Sequence, residues 1–294
     1  MKIFFYVRLG LVFSLISILA GALVRATNSG DGCGSTWPTC NGKIIPTFLD
    51  LNEAIEFSHR IVSGILLIIT LIIFIQSRQY QKHDLNRKIV NYLTFFVVFE
   101  AVIGAVIVIY EWVGLNSSLP RIIAVPIHLV NTFGLLGSYA LLYKSIKYNI
   151  KDLSFLFNKK FIFISLLFLV TAATGSIAAL ADVLFPNETF IEGLLADFDK
   201  SSQILTRLRI LHPIFSTVLA LVLYFDAKTT SKSFEINTSL MRTLILITIF
   251  LGITNVLLNL VLLLSIIHLA SADLLWITYI YVSMEKYKNN PSLS

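Results

Sequence analysis

Apolar residues along this chain of 294 residues gather into eight long runs, at about 5–24, 56–76, 89–109, 124–143, 161–181, 208–226, 243–262 and 265–284. Each is near the roughly 20 residues that a helix needs to cross about 30 Å of hydrocarbon. In lipid every backbone N–H and C=O must be paired within the segment, and a helix does this by itself. The pattern therefore predicts an all-α polytopic membrane protein with eight transmembrane helices. Only a few residues separate the last two runs, which places a tight connection near 262–265.

Composition agrees with this pattern. The chain is 56% hydrophobic and 14% charged, and its mean hydropathy is +0.81. The net charge of +6 first suggests a polyanion partner, but the placement of the charges removes that reading. With the N-terminus taken as cytoplasmic, the inner segments carry 16 of the 23 Lys and Arg: Lys2, Arg8, Arg78, Lys82, Arg87, Lys88, Lys144, Lys147, Lys151, Lys159, Lys160, Lys228, Lys232, Arg242, Lys286 and Lys288. The outer segments carry the other seven: Arg25, Lys43, Arg60, Arg121, Lys200, Arg207 and Arg209. This is the positive-inside bias, and it predicts N-in and C-in termini. It reports topology and speaks against nucleic acid; the lipid bilayer is the partner. Lys2 and Arg8 before the first run resemble a signal peptide, but the topology uses that run as an anchor. No Arg- and Ser-rich presequence precedes it, so the expected address is a prokaryotic plasma membrane.

Long extramembrane segments are expected on the outer side only, at roughly 25–55, 110–123 and 182–207. The two halves echo each other. Ile127-His128-Leu129 reappears as Ile267-His268-Leu269, and His59 opens the second run as His212 opens the sixth. A duplicated four-span unit gives parallel halves about an axis along the membrane normal. The expected organisation is two pseudo-symmetric four-helix bundles, 1–150 and 151–294, each enclosing a site.

Four of the five histidines, His59, His128, His212 and His268, stand about one turn into the even-numbered runs, on the outer side. Imidazole at membrane depth is costly and seldom idle. Two pairs at one level, His59 with His128 and His212 with His268, are what hemes held between helices require. Zinc or copper sites want three or four converging ligands, and no acid or thiol joins either pair. The fifth histidine, His83, falls in a basic inner loop and reads as solvated.

Glu56 precedes His59 by one helical turn and so shares its face. Its plainest role is a first-turn acid at a helix N-terminus; its functional one is a proton acceptor or a negative charge beside a porphyrin. The second half has Arg209 at the corresponding place, which suggests a reactive first half and a cofactor-holding second half. Arg25, Arg60, Arg121, Arg207 and Arg209 lie at outer helix ends, suited to heme propionates or to ordinary snorkelling. Glu100 and Asp273 are acids well inside spans, and no partner for Glu100 is apparent. Cys33 and Cys40, the only cysteines, share the first outer loop, where an oxidising compartment favours a disulfide. A redox-active pair is the other reading. Attachment of a c-type heme needs Cys-x-x-Cys-His and is excluded.

These residues resemble the heme A synthase family. The match is strongest from Gly21-Ala22-Leu23-Val24-Arg25-Ala26-Thr27-Asn28-Ser29-Gly30 through the Cys33–Cys40 loop to Ile45-Pro46, and continues in Glu56-Phe57-Ser58-His59-Arg60. Ile127-His128-Leu129, Leu211-His212-Pro213, Thr254-Asn255 and His268 extend it along all eight spans. The resemblance implies conversion of heme O to heme A for cytochrome oxidases, by successive hydroxylation of one methyl group to a formyl group. It implies Glu56 as the catalytic acid, His59 and His128 facing substrate heme O, and His212 and His268 as axial ligands of a heme b cofactor. A farnesyl-transferring heme O synthase and cytochrome oxidase assembly are the partners it suggests. Some bacterial members carry a second cysteine pair between spans five and six; this chain has none across 182–207, which weakens any relay needing both pairs. Two other readings remain open: a quinol-type di-heme electron-transfer cytochrome, and a non-enzymatic heme carrier.

Overall fold

The computed structural model describes residues 2–47, 50–150, 152–234 and 236–289. Lys151, one of the basic residues that set the expected topology, lies outside them. The described residues form α1 (Lys2–Ala26), α2 (Leu51–Gln76), α3 (Leu85–Ile109), α4 (Leu119–Tyr148), α5 (Lys159–Leu184), α6 (Phe190–Phe198), α7 (Ile204–Leu208), α8 (Leu211–Phe234), α9 (Ser239–Leu257) and α10 (Leu262–Asn289), and no strand. Eight of these segments, with α7 and α8 forming one, are long and apolar enough to cross a membrane.

The helices reach further than the apolar runs. α2 starts at Leu51, ahead of the run at 56, because the Asp50 side chain accepts from the Asn52 N–H and caps a polar first turn. α4 likewise starts at Leu119, with a proline in its first turn. His59 and His128 therefore stand about two turns inside their helices, although only about one turn inside the apolar stretch. The interruption between α7 and α8 falls just before Pro213, which has no N–H to give the Arg209 carbonyl.

The connection between the last two spans lies at Leu258–Val261, earlier than hydropathy alone places it. Asn259 and Leu260 both take positive φ (56° and 64°) and reverse the chain. Asn259 Nδ2 donates to the carbonyls of Asn187 and Glu188, at 3.1 and 3.0 Å, tying this turn to the loop after α5. α6, inside the expected outer segment 182–207, is a short helix opened by a capping box between Thr189 and Glu192. Its Ile191, Leu195 and Phe198 are exposed, the composition of a helix lying at a headgroup boundary.

α1, α4, α5 and α10 meet along a central seam, with α2 and α3 beside α1 and α4, and with α8 and α9 beside α5 and α10. Trp276 of α10 donates its indole N–H to the Phe133 carbonyl of α4 at 3.0 Å and meets the ring of Phe168 of α5 edge-on at 5.0 Å. Lower in the first half, buried Tyr139 and Thr70 share a hydrogen bond of 2.7 Å. Ile68, Leu246 and Phe250, among many others, are exposed on the outer faces, as lipid-facing positions are.

Candidate functional site

The first long loop folds down onto the start of α2. A disulfide joins Cys33 and Cys40, and both cysteines are fully buried against Phe57. The loop backbone presses so closely that a Cβ on Gly32 would fall 2.4 Å from the Asn52 carbonyl carbon. The Cys33 N–H donates to Glu56 Oε2 at 2.8 Å. Glu56 Oε1 accepts from Arg60 Nε at 3.1 Å and from Arg60 Nη2, while Arg60 Nη1 donates to the carbonyls of Thr36 and Thr39, both at 2.6 Å. Glu56 and Arg60, on one face of α2, thus clasp the disulfide loop at both ends, with His59 between them in sequence.

Closing so short a loop contributes about 2–3 kcal/mol by restricting the open chain. Cys33→Ser or reduction is therefore expected to speed proteolysis within 28–47 by an order of magnitude or more, with the spans left intact. Unchanged cleavage would show that the Glu56–Arg60 clasp holds the loop alone.

The four histidines share one local arrangement. Each ring rests on a glycine of the neighbouring helix: His59 on Gly21, His128 on Gly104, His212 on Gly175 and His268 on Gly252. A Cβ added at these glycines would stand 3.1, 3.8, 2.9 and 3.0 Å from the Cε1 of the respective ring. The residue four positions before each glycine then faces the imidazole. In the second half these are Thr171 and Thr248, whose carbonyls lie 3.2 Å from His212 Nδ1 and 3.0 Å from His268 Nδ1. A carbonyl only accepts, so Nδ1 carries the hydrogen and Nε2 keeps its lone pair for a ligand.

The His212 and His268 rings are 6.3 Å apart between centroids, with planes at 88°. Two imidazoles bound to one metal at about 2.0 Å, each ring centre about 1.1 Å behind its nitrogen, stand about 6 Å apart. At this separation His212 and His268 would suit one iron held by both.

The first half differs. The Ser17 main chain faces His59, yet His59 Nδ1 completes no hydrogen bond. His128 Nδ1 lies 3.1 Å from Glu100 Oε1, close but not aligned as a hydrogen bond. Glu100 Oε2 in turn accepts from Asn131 Nδ2 at 2.5 Å, and Asn131 Nδ2 also donates to the Phe96 carbonyl at 2.9 Å. Glu100 thus has partners that the linear order of residues does not disclose. Its signal in the sequence is the spacing: it precedes Gly104 by four, as Thr171 precedes Gly175 and Thr248 precedes Gly252.

The five arginines fall into distinct environments. Arg60 is committed to Glu56 and the loop. Arg209 donates through Nε to Asp197 at 2.8 Å and through Nη1 to Asp182 at 2.9 Å, with Nη2 on the Gly193 carbonyl at 3.0 Å. Arg121 is buried, and its Nη1 donates to the carbonyls of Gly114 and Asn116. Arg25 is half-buried, and the Nε atoms of both Arg25 and Arg121 are buried without a partner. Arg207 is exposed on α7. Asp273 is fully buried, and neither carboxylate oxygen has a hydrogen-bond partner. His83 is exposed in a turn.

Comparison with known sequences bears on what these residues do. Residues 50–280 match the family described as "Cytochrome oxidase assembly protein". A Thermus thermophilus protein named protoheme IX farnesyltransferase is 30% identical over 284 residues, covering 93% of this chain and 46% of its own length. Heme A synthase of Bacillus cereus (strain AH187) is 39% identical over 112 residues, 38% of this chain and 34% of that enzyme. The heme A synthase of Bacillus anthracis (strain A0248) gives the same figures. The chain thus spans less than half the length of each of these relatives. With eight apolar helices and this family match, the chain is a multi-pass membrane protein.

Proposed function

The chain belongs to the cytochrome oxidase assembly protein family, that of the heme A synthases it matches, and we propose that it oxidises heme O to heme A in a bacterial plasma membrane. Two hydroxylations, each a two-electron oxidation that draws on an external oxidant, would place two hydroxyl groups on one porphyrin methyl carbon, and loss of water would leave the formyl group. In this reading His212 and His268 hold a resident heme b, which supplies a one-electron redox centre. His59 and His128 face the substrate heme O, and a farnesyltransferase supplies that substrate. The termini are cytoplasmic, by the charge bias, and 1–150 and 151–294 act as the substrate and cofactor halves.

The observation that carries this reading is the His212–His268 pair: rings 6.3 Å apart, with both Nδ1 atoms turned to backbone carbonyls. Two imidazoles prepared in this way suit an iron. Arg25 and Arg121 are the favoured propionate contacts, because each has a buried donor still to be satisfied. In this reading Glu56, one turn from His59 and paired with Arg60, acts on the substrate. Its two oxygens are held by the Cys33 N–H and the Arg60 guanidinium, so the integrity of the loop sets where that carboxyl sits.

Expression of the chain beside a heme O producer, followed by pigment extraction, tests the reading. Conversion of heme O to heme A is expected, and Glu56→Ala or His59→Ala should abolish it while bound heme b persists. Unchanged heme O with an intact di-heme spectrum would favour an electron-transfer cytochrome. Reversible heme uptake indifferent to Glu56→Ala would favour a carrier.

A further inference from the structure

We propose that Glu100, braced by Asn131, is the positioning residue that sets the tautomer and aim of His128. This rests on the reading of His128 as a heme O ligand. Three of the four imidazoles look back onto the main chain of the residue four before their glycine: Ser17, Thr171 and Thr248. At His128 the same register presents a carboxylate, with Oε1 3.1 Å from Nδ1. The carboxylate is held from its other side, because Asn131 Nδ2 bridges Glu100 Oε2 and the Phe96 carbonyl at 2.5 and 2.9 Å. Asn131 sits three residues after His128, so α4 carries both the imidazole and the amide that fixes its partner on α3.

A carboxylate accepts, as a carbonyl does, and so holds the hydrogen on Nδ1 and points Nε2 at the ligand. Unlike a carbonyl it can carry charge, and when ionised it strengthens the bond and makes the imidazole a better donor to iron. The approach at His128 is unaligned, and completing it would take a rotation of the ring. Gly104 permits that rotation: its absent Cβ would leave 3.8 Å to the ring, against 2.9 Å at Gly175. His128 is thus the looser ring, with a carboxyl partner, whereas His59, His212 and His268 sit closer to their glycines and face main chain. That difference suits a heme that enters and leaves in one half and a heme that stays in the other.

The test titrates heme O into the full-length chain carrying its resident heme, with each heme followed by its own absorption and reduction potential. Loss of an outer partner of a ligating histidine costs about 10–100-fold in affinity, so Glu100→Ala is expected to weaken heme O binding by that factor. Glu100→Gln keeps an acceptor and removes the charge; it should retain most of the affinity yet raise the reduction potential of bound heme O. The resident heme should not respond to either change. Wild-type affinity in Glu100→Ala together with an unshifted potential in Glu100→Gln would overturn the proposal. If Glu100→Ala does not accumulate, the potential in Glu100→Gln decides alone. His128→Ala separates the two layers. If it too leaves heme O binding unchanged, the heme O reading fails; if it abolishes binding while the Glu100 variants do not, only the present inference falls.

Discussion

If His212 and His268 hold a heme b, as proposed, His212→Ala and His268→Ala are each expected to leave the chain in the membrane with that heme lost. Each change would remove one of the two residues proposed to hold it. The loss in affinity should exceed the about 10–100-fold typical of losing an outer partner. The helical body should survive, because neither ring contributes to the central seam of Phe133, Trp276 and Phe168. The measurement is the ratio of heme b to protein after purification, beside the yield of the membrane-inserted chain. A ratio unchanged in both variants would place the resident heme elsewhere and remove the basis for dividing the chain into substrate and cofactor halves.

The glycines beneath the histidines offer a sharper test, because their expected effect runs against helix propensity. Gly→Ala within a helix ordinarily stabilises it by up to about 1 kcal/mol. At Gly175 the new methyl carbon would stand 2.9 Å from His212 Cε1 and 3.0 Å from Nδ1; at Gly252 it would stand 3.0 Å from His268 Cε1. Both rings must give way, which is expected to disturb their Nδ1 hydrogen bonds to Thr171 and Thr248. Gly175→Ala and Gly252→Ala are therefore expected to lower retention of heme b by tenfold or more with both histidines intact. Gly21→Ala, at 3.1 Å from His59, should weaken heme O binding less, and Gly104→Ala, at 3.8 Å from His128, should be tolerated. Equal heme retention across the Gly175 and Gly252 variants and the wild type would show that ring placement is not what these glycines provide.

Much of this architecture is legible in the residue order, for a physical reason. A membrane span must be apolar over its whole length, so hydropathy locates each helix without knowledge of its neighbours. The histidines stand out because imidazole is rare in such runs, and Cys33 and Cys40 because two cysteines in one outer loop have few alternatives to each other. Contacts between helices are less legible. That Glu100 serves His128, or that Arg209 is tied to Asp182 and Asp197, depends on which segments abut, and hydropathy does not encode that. The α9–α10 turn is displaced for a related reason: Asn259 and Leu260 reverse the chain among residues as apolar as the spans they join. α6 leaves no such signal because a helix of nine residues lies below the length at which a span becomes visible. The recurring offset of four residues between a facing residue and its glycine is written in the sequence, yet it becomes readable only once each glycine is known to lie under a particular histidine.

The central claim is that His212 and His268 grip one iron from opposite sides. Electron paramagnetic resonance of the oxidised, full-length wild-type chain tests it most directly. With axial imidazole planes near the 88° of these rings, the two iron d orbitals of π symmetry stay close in energy, and a highly anisotropic low-spin ferric signal is predicted, lost in His212→Ala and in His268→Ala. A purely high-spin signal, a rhombic low-spin signal of parallel ligand planes, or a signal that survives both substitutions would contradict it.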